Sequence, residues 1–457
     1  MDLFGTAGIR GSATESVTPA LALRVGRAVA IHARDHGDRT FLVGRDGRVT
    51  GGGLLAALEA GLMSGGARVL RLGQVPTPTL GYASVGSRGV MVTASHNPPM
   101  DNGLKLFVDG YEYSPAAEAE VERLFEEAPA PVSWADWGTP ARRTVLGDYR
   151  QAAVDYATEL VGHPSGLRVA VDCGNGMAAK AAPQALRSMG ADVVALNANV
   201  DGRFPGRDSK PTAESITDLR AFTADSDVDL GLAADGDADR LVVVDANGTV
   251  IHEDTILAVL AELYVEQATC EEPVVITTPN ASARIDERVT EHGGSVERVA
   301  LGSLHEGLRR RAADGTAYRV VFAAEPWKHI HPQFGPWIDG IVSALVLGGL
   351  VAARGLEALV APITERPYRK ESVACPDAQK APVMRALPDR LAATFPDAKL
   401  NTARGLRLTF EDASWVLVRP SGTEPLVRLY AESERVQELI ESTRIALQET
   451  LEGVEDV

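Results

Sequence analysis

Three carboxylates at alternate positions stand in the run Asp235-Gly236-Asp237-Ala238-Asp239-Arg240, between two apolar stretches at 228–233 and 241–244. Left unpaired they would repel one another, and a divalent cation is the simplest way to neutralise all three. A calcium EF-hand loop begins similarly, but it needs Gly at its sixth position and Glu at its twelfth, where this chain has Arg240 and Ala246. The flanks read as strands rather than helices, so magnesium sharing its coordination sphere with a phosphate is the better fit. The plainer alternative is a solvated Asp-rich hairpin turn.

A second segment, Thr93-Ala94-Ser95-His96-Asn97-Pro98, follows an apolar strand at 89–93 and is stopped by two prolines. This presents the Ser95 hydroxyl at a strand's C-terminal mouth, where open α/β sheets place their sites. Serine needs a base, a metal or prior modification to react; otherwise Ser95 or Asn97 simply caps a polar turn. A third, Arg419-Pro420-Ser421-Gly422-Thr423-Glu424-Pro425 with Arg428 beyond it, offers two hydroxyls, close backbone approach and two guanidinium forks. That set can wrap a phosphate without a P-loop lysine, or can be a capped turn before a strand. A fourth, 172–179, reads DCGNGMAA and matches G-x-G-x-x-A. The second strand, ending near Leu196-Asn197, lacks the acidic residue a dinucleotide site needs, so a tight strand-to-helix turn is the preferred reading.

Short apolar runs alternating with amphipathic stretches must position these segments. Strands are expected at 41–43, 68–72 and 89–93 with a helix at 53–61; then, past a Pro/Trp-containing linker at 128–140, a helix at 148–160, a strand at 168–171, a helix at 178–189 and a strand at 192–196. A turn at 245–248 opens a third block with a helix at 255–267, a strand at 273–277 and a helix at 339–354. Beyond a boundary near 364–369 lie strands at 405–410 and 415–418 and a helix at 434–451. The rhythm argues for βαβ units and a largely parallel or mixed sheet. With 457 residues, at about 150 per domain, three or four compact units are expected. No exact repeat appears.

With 62 Asp+Glu against 45 Lys+Arg the formal charge is −17, which disfavours a nucleic acid or an anionic membrane as partner. Only seven of those cations are lysine, a balance suited to a saline cytoplasm. The three cysteines are far apart, with no disulfide framework or zinc spacing. The first residues lack a basic-then-apolar signal pattern, and the uncharged stretch 341–353 is shorter than a membrane span needs, reading as a buried helix. A soluble, cytoplasmic protein is expected.

Taken together the segments resemble the α-D-phosphohexomutase family of phosphoglucomutases, phosphomannomutases and phosphoglucosamine mutases. Phe4-Gly5-Thr6-Ala7-Gly8-Ile9-Arg10-Gly11 is similar to its N-terminal signature, and TASHNP at 93–98 with Asp101-Asn102-Gly103-Leu104-Lys105 to its phosphoserine loop. DCGNG at 172–176 recurs in its second domain, DGDADR at 235–240 is similar to its metal loop and RPSGTEP at 419–425 to its phosphate loop, all collinear. The resemblance implies an α/β protein of four domains around a central cleft: three similar mixed-sheet α/β domains (1–135, 145–247, 248–360) and a smaller C-terminal α+β domain (365–457). It implies that Ser95 is carried as phosphoserine, that Mg²⁺ is held by Asp235, Asp237, Asp239 and a phosphate oxygen on Ser95, and that Lys105, His96 and Arg10 flank the phosphoryl group, with Lys105 as acid or base. Arg240 would orient phosphoserine and sugar; Arg419, Ser421, Gly422, Thr423 and Arg428 would grip the phosphate that is not reacting.

One stretch departs from the family pattern. Its sugar loop reads G-E-x-S-G-H, whereas this chain has Ala324-Glu325-Pro326-Trp327-Lys328-His329. Glu325 and His329 fit as sugar ligands, while Trp327 and Lys328 replace Ser and Gly. The implied activity is interconversion of hexose 6-phosphate and hexose 1-phosphate through a hexose 1,6-bisphosphate. Phosphoglucosamine ranks first, with mannose and glucose phosphates next. The competing classes are an NAD(P)-dependent oxidoreductase, resting on the DCGNG turn, and a non-catalytic sugar-phosphate binder. The sequence assigns no oligomeric state.

Overall fold

The computed structural model describes residues 3–5, 8–421 and 424–455. Among the described residues four separate sheets follow one another along the chain. In the first, the strands run Ile9–Ser12, Asp101–Val108, Arg88–Val92, Thr40–Arg45, Arg68–Gln74 and Pro140–Arg142 from edge to edge, with Tyr111–Glu112 extending Asp101–Val108. The second runs Leu241–Val244, Leu230–Ala234, Arg168–Asp172, Asp192–Leu196, and the third Lys328–Ile330, Val320–Glu325, Val274–Thr277, Ser295–Arg298.

One four-strand unit recurs in these three sheets. Its first strand is parallel to the second on one side and to the third on the other, and the fourth returns antiparallel to the third. Helices between the parallel strands cover the faces, as βαβ crossovers require. The fourth sheet differs: Tyr368–Ala374, Leu426–Glu432, Trp415–Pro420, Leu406–Thr409 and Lys399–Asn401 are all antiparallel. The helices Asp377–Thr394 and Val436–Glu455 accompany it. The expected three mixed-sheet units and smaller α+β unit are therefore present.

The stretch 128–140 differs from its reading as a linker. It packs on the C-terminal end of the helix Gly51–Ser64, Val132 N donating to Ser64 O and Gly138 N to Met63 O, and Pro140–Arg142 then pairs in parallel with Arg68–Gln74 at the edge of the first sheet. Three residues beside Trp and Pro carry no alternation by which a strand could be recognised. The helix 178–189 begins with a 3₁₀ turn, Met177–Lys180, before the α-helix Ala182–Met189.

The second and third sheets share one apolar core, filled by the helix Gly340–Arg354, whose residues from Gly340 to Val351 are all buried. Asp339 caps this helix, accepting from the N–H groups of Ile341 (3.0 Å) and Val342 (2.9 Å), where the helix dipole favours a carboxylate. Gly349 faces the helix Leu146–Val161 closely enough that an added Cβ would lie 2.4 Å from Val161 Cγ2. The fourth unit docks on the third through buried Glu432, which accepts from Ser282 Oγ (2.7 Å), Trp415 Nε1 (2.7 Å) and the Arg284 guanidinium (3.1 Å). Among the described residues no helix is long and apolar enough to cross a membrane.

Candidate functional site

In each of the first three sheets the turn between third and fourth strands carries a segment singled out above: Ser95 in the first, the three aspartates in the second, Glu325 to Lys328 in the third. Ser95 has a left-handed backbone, φ +52°, unusual for a side-chain-bearing residue. A buried scaffold holds it there. The Ser95 N–H donates to Thr93 Oγ1 (2.9 Å), and that hydroxyl donates to Asp46 Oδ2 (2.7 Å). Asp46 also binds Arg48 Nε (3.0 Å), and both side chains are fully buried. The Arg48 guanidinium then donates to the carbonyls of Ser95 (2.8 Å), Asn97 (2.7 Å), Pro98 (2.5 Å) and Asp101 (2.9 Å). Sequence reasoning missed Asp46 and Arg48. Their one signal is a charged pair at the C-terminal end of an apolar strand.

The Ser95 hydroxyl donates to Asp235 Oδ2 at 2.7 Å, across 140 positions of sequence. Gly236 makes the approach possible, since a Cβ there would lie 2.6 Å from the Ser95 carbonyl oxygen. Asp235, Asp237 and Asp239 are buried, with ligand atoms within 4.8 Å of one another. Thr77, also missed in the sequence, donates to Asp237 Oδ2 (2.6 Å), and Lys105 Nζ lies 3.1 Å from Asp237 Oδ2 and 2.5 Å from Asp239 Oδ2. The other oxygens, Asp237 Oδ1 and Asp239 Oδ1, are buried without a hydrogen-bond partner among the described residues.

Burial, and after it the charges of Asp239 and Asp237, raises the Asp235 carboxyl well above its ordinary range. At Asp239 burial works the same way, but Lys105, Arg240 and Lys328 outweigh it and hold that carboxyl low. Burial alone would lower Lys105; Asp237 and Asp239 overcome it and hold the amine charged. Two orphaned, buried carboxylate oxygens beside a third carboxylate fit a hard divalent cation, which takes oxygen ligands.

His96 Nδ1 is 3.2 Å from Ser95 Oγ, and burial, aided by Arg240 and Arg10, pushes the imidazole down to about 2, so it is neutral. Arg10 lies on the edge strand opposite Gly103, and its buried Nε has no partner among the described residues. Arg240 Nε stands 3.9 Å from Asp235 and 4.0 Å from Asp239. The third sheet joins here through a backbone bridge between Arg240 and Lys328 and through Leu241 N donating to Trp327 O (3.3 Å). Trp327 has φ +67°, and its indole packs on the second unit's apolar cluster around Ile216, Leu219 and Val242. Glu325 accepts from Lys328 Nζ (2.7 Å) and from Gly302 N (3.1 Å). Burial opposes its ionisation, but Lys328 prevails and lowers its pKa.

His329 sits apart from these groups. On the strand Lys328–Ile330 it is 1% exposed, its Nδ1 2.8 Å from Ser343 Oγ, and burial pushes it down to about 3. His331 bonds the same hydroxyl (2.9 Å) and Tyr264 OH (2.5 Å). In the fourth sheet Arg419 and Arg428 are directly opposed on neighbouring strands. Burial lowers the Arg419 guanidinium, with Tyr430 and Glu325 opposing and Arg428 adding to it; its Nη1 has no partner among the described residues. Ser421 is buried, Lys380 Nζ gathers the carbonyls of Ser421 and Glu424 (2.6 Å each), and Arg428 pairs with Glu424. Gly422 and Thr423, like Thr6 and Ala7, lie outside the described residues.

The DCGNG turn buttresses the aspartate loop. Met177 N donates to Gly236 O (3.0 Å), and Arg207 ties Asp172 (2.7 Å) to the Ala234 carbonyl (2.7 Å). A Cβ at Gly176 would meet Gly236 O at 2.7 Å and one at Gly174 the Arg207 guanidinium at 2.7 Å. Protein already occupies the places a pyrophosphate would need.

Sequence models of the phosphoglucomutase/phosphomannomutase family match the chain in order: alpha/beta/alpha domain I over residues 1–131, domain II over 149–248, domain III over 252–366 and the C-terminal domain over 372–446. A phosphopentomutase of Thermococcus kodakarensis is 41% identical over 451 residues, 96% of each chain. A protein of Methanopyrus kandleri named "Probable phosphoglucosamine mutase" is 40% identical over 441 residues, 94% of each. The solved structure of a phosphoglucomutase/phosphomannomutase family protein from Burkholderia thailandensis is 25% identical, with a TM-score of 0.85 over 98% of this chain and 97% of that one.

Proposed function

Because the chain belongs to the α-D-phosphohexomutase family, and is thereby an intramolecular phosphotransferase of the isomerase class, we propose that Ser95 is the oxygen on and off which the phosphoryl group moves. The observation that supports this above any other is the 2.7 Å contact of Ser95 Oγ with Asp235, inside a triad suited to a cation. Phosphoserine 95 would donate to a hexose 6-phosphate or hexose 1-phosphate. The bond from phosphorus to Ser95 Oγ breaks as one to the sugar oxygen forms, and the hydroxyl proton leaves that oxygen. The hexose 1,6-bisphosphate so formed turns over in the cleft and returns its other phosphate to Ser95.

Asp235, Asp237 and Asp239, with a phosphate oxygen on Ser95, are the set that would hold Mg²⁺, which stabilises charge on transferring phosphoryl oxygens. Arg10 and Lys105 bring further positive charge to the same oxygens. Lys105 would exchange the hydroxyl proton, and the neutral His96 would hold a hydrogen bond with Ser95 Oγ. Arg419 and Arg428 grip the distal phosphate through charge-assisted forks that tolerate two sugar orientations. Glu325 meets ring hydroxyls. The occupied glycine faces at 174 and 176 count against the dinucleotide-dependent alternative.

Intact mass spectrometry tests this. After incubation with hexose 1,6-bisphosphate and Mg²⁺ the protein is expected to carry one phosphate, transferable to glucose 1-phosphate and missing in Ser95→Ala. Wild-type protein that stays unphosphorylated overturns the proposal.

A further inference from the structure

The named relatives divide between a pentose and an amino sugar, and the loop that departs from the family pattern bears on that division. Glu325 and Lys328 close the turn between Val320–Glu325 and Lys328–Ile330 as an ion pair, their side chains 13% and 14% exposed. Both carboxylate oxygens are engaged, one by the Lys328 ammonium and one by the Gly302 N–H. The Lys328 ammonium is held by its ion pair with Glu325, and the residue's backbone is fixed in place. Its backbone bridges to Arg240, the preceding indole is set in the neighbouring unit's apolar cluster, and its strand is paired in register.

The pair lies between the two phosphate-handling ends. The charge of Lys328 is felt at His96 and Asp239, and that of Glu325 at Arg419. A lone carboxylate at this place would welcome an ammonium on a sugar ring. Here that charge is already cancelled, and Lys328 joins Arg10, Lys105, Arg240 and Arg419 around the same space. The remaining loop carboxylates are committed as well: Asp235 to Ser95, Asp237 and Asp239 to Lys105 and the cation place, Asp101 to Asn97, Glu424 to Arg428. Neutral hydroxyls suit such a pair, since each can donate to Glu325 and accept from Lys328.

We propose that Lys328 makes the cleft reject protonated amino sugars, so that the substrate is a sugar phosphate whose ring carries hydroxyls and no ammonium. This rests on the phosphomutase reading above and displaces glucosamine from the first place the family resemblance gives it. Discrimination here works by repulsion as much as by attraction.

The test is calorimetric titration of Ser95→Ala protein, which needs no turnover, with glucose 1-phosphate and with glucosamine 1-phosphate, a pair differing by hydroxyl against ammonium. At neutral pH the glucose ester is expected to bind about tenfold tighter, the repulsion left after the paired Glu325 offsets most of the Lys328 charge. In Lys328→Gln the gap is expected to close. At alkaline pH, where the amino sugar sheds its proton, it is expected to close without any further substitution. Equal binding of the two esters at neutral pH, a gap that survives Lys328→Gln, or binding of neither overturns the inference. Failure of the phosphomutase reading shows separately, as absence of phosphate from the wild-type mass.

Discussion

Gly236 decides how close two halves of the site can come. Its missing side chain lets the aspartate loop rest against the carbonyl of Ser95, and nothing else in the loop could move aside for a methyl group, because the opposing atom is backbone. Gly236→Ala is therefore expected to lower kcat by about a hundredfold, since a shift of an ångström or so at a transfer site costs that much. Its urea midpoint is expected to fall as well, since overpacking against backbone costs about 1–3 kcal/mol, and an unaltered kcat would refute the role. The same residue shows what could be read in advance. The carboxylates of DGDADR and the hydroxyl of TASHNP announce chemistry by type and spacing. Asp46, Arg48 and Thr77 do not, because their partners lie about fifty to 160 positions away. A charged pair after a strand reads as an ordinary loop until the fold shows whose carbonyls it binds.

Among the elements, the antiparallel hairpin is what the fold uses repeatedly. Ser95, Ala238 and Trp327, one in each of the first three turns, have φ of +52°, +63° and +67°. Left-handed backbone costs a side-chain-bearing residue roughly 1–2 kcal/mol, so the recurrence marks turns held open by their surroundings. Sequence pattern found both strands flanking the second turn but only the one before the first, missing Asp101–Val108. It did not mark the third, because tryptophan and lysine are not turn residues, nor the shared topology, which survives without shared residues. The fourth hairpin carries a different cost, two arginines face to face, and like charges so placed destabilise a sheet by roughly 0.2–1 kcal/mol. Arg419→Gln is expected to leave the unfolding midpoint equal or higher while KM for the sugar phosphate rises about tenfold, the loss of one charge-assisted fork. A variant that loses stability instead would show that the fold, not the ligand, requires this arginine.

Across the whole molecule, the shared core of the second and third sheets buries His329 and His331, both pushed down to about 3 by loss of solvent. Their ordinary value is 6.5, so between pH 6.5 and about 3 the unfolded chain binds protons that the native chain refuses. Stability from these residues is present above the upper limit and is lost as pH falls, by about 1.4 kcal/mol per pH unit for each. Urea unfolding from neutral pH to pH ~5 is expected to show a slope to which His96 and His32, lowered in the same way, also contribute, and His331→Gln is expected to remove about 1.4 kcal/mol per pH unit of it; an unchanged slope would exclude His331 as a source. The buried helix behind them was legible as the uncharged run 341–353. The polar chain crossing it was not, because histidines and tyrosines scattered along a sequence give no sign of meeting.

Each functional loop hangs from a different sheet, and ribosomes build from the amino end. A nascent chain owns its serine and its aspartates long before it owns Arg419 and Arg428. Under the role proposed for Arg419 and Arg428, competence arrives in one step with the final strand pair, and a chain cut short before it lacks the grip on the distal phosphate.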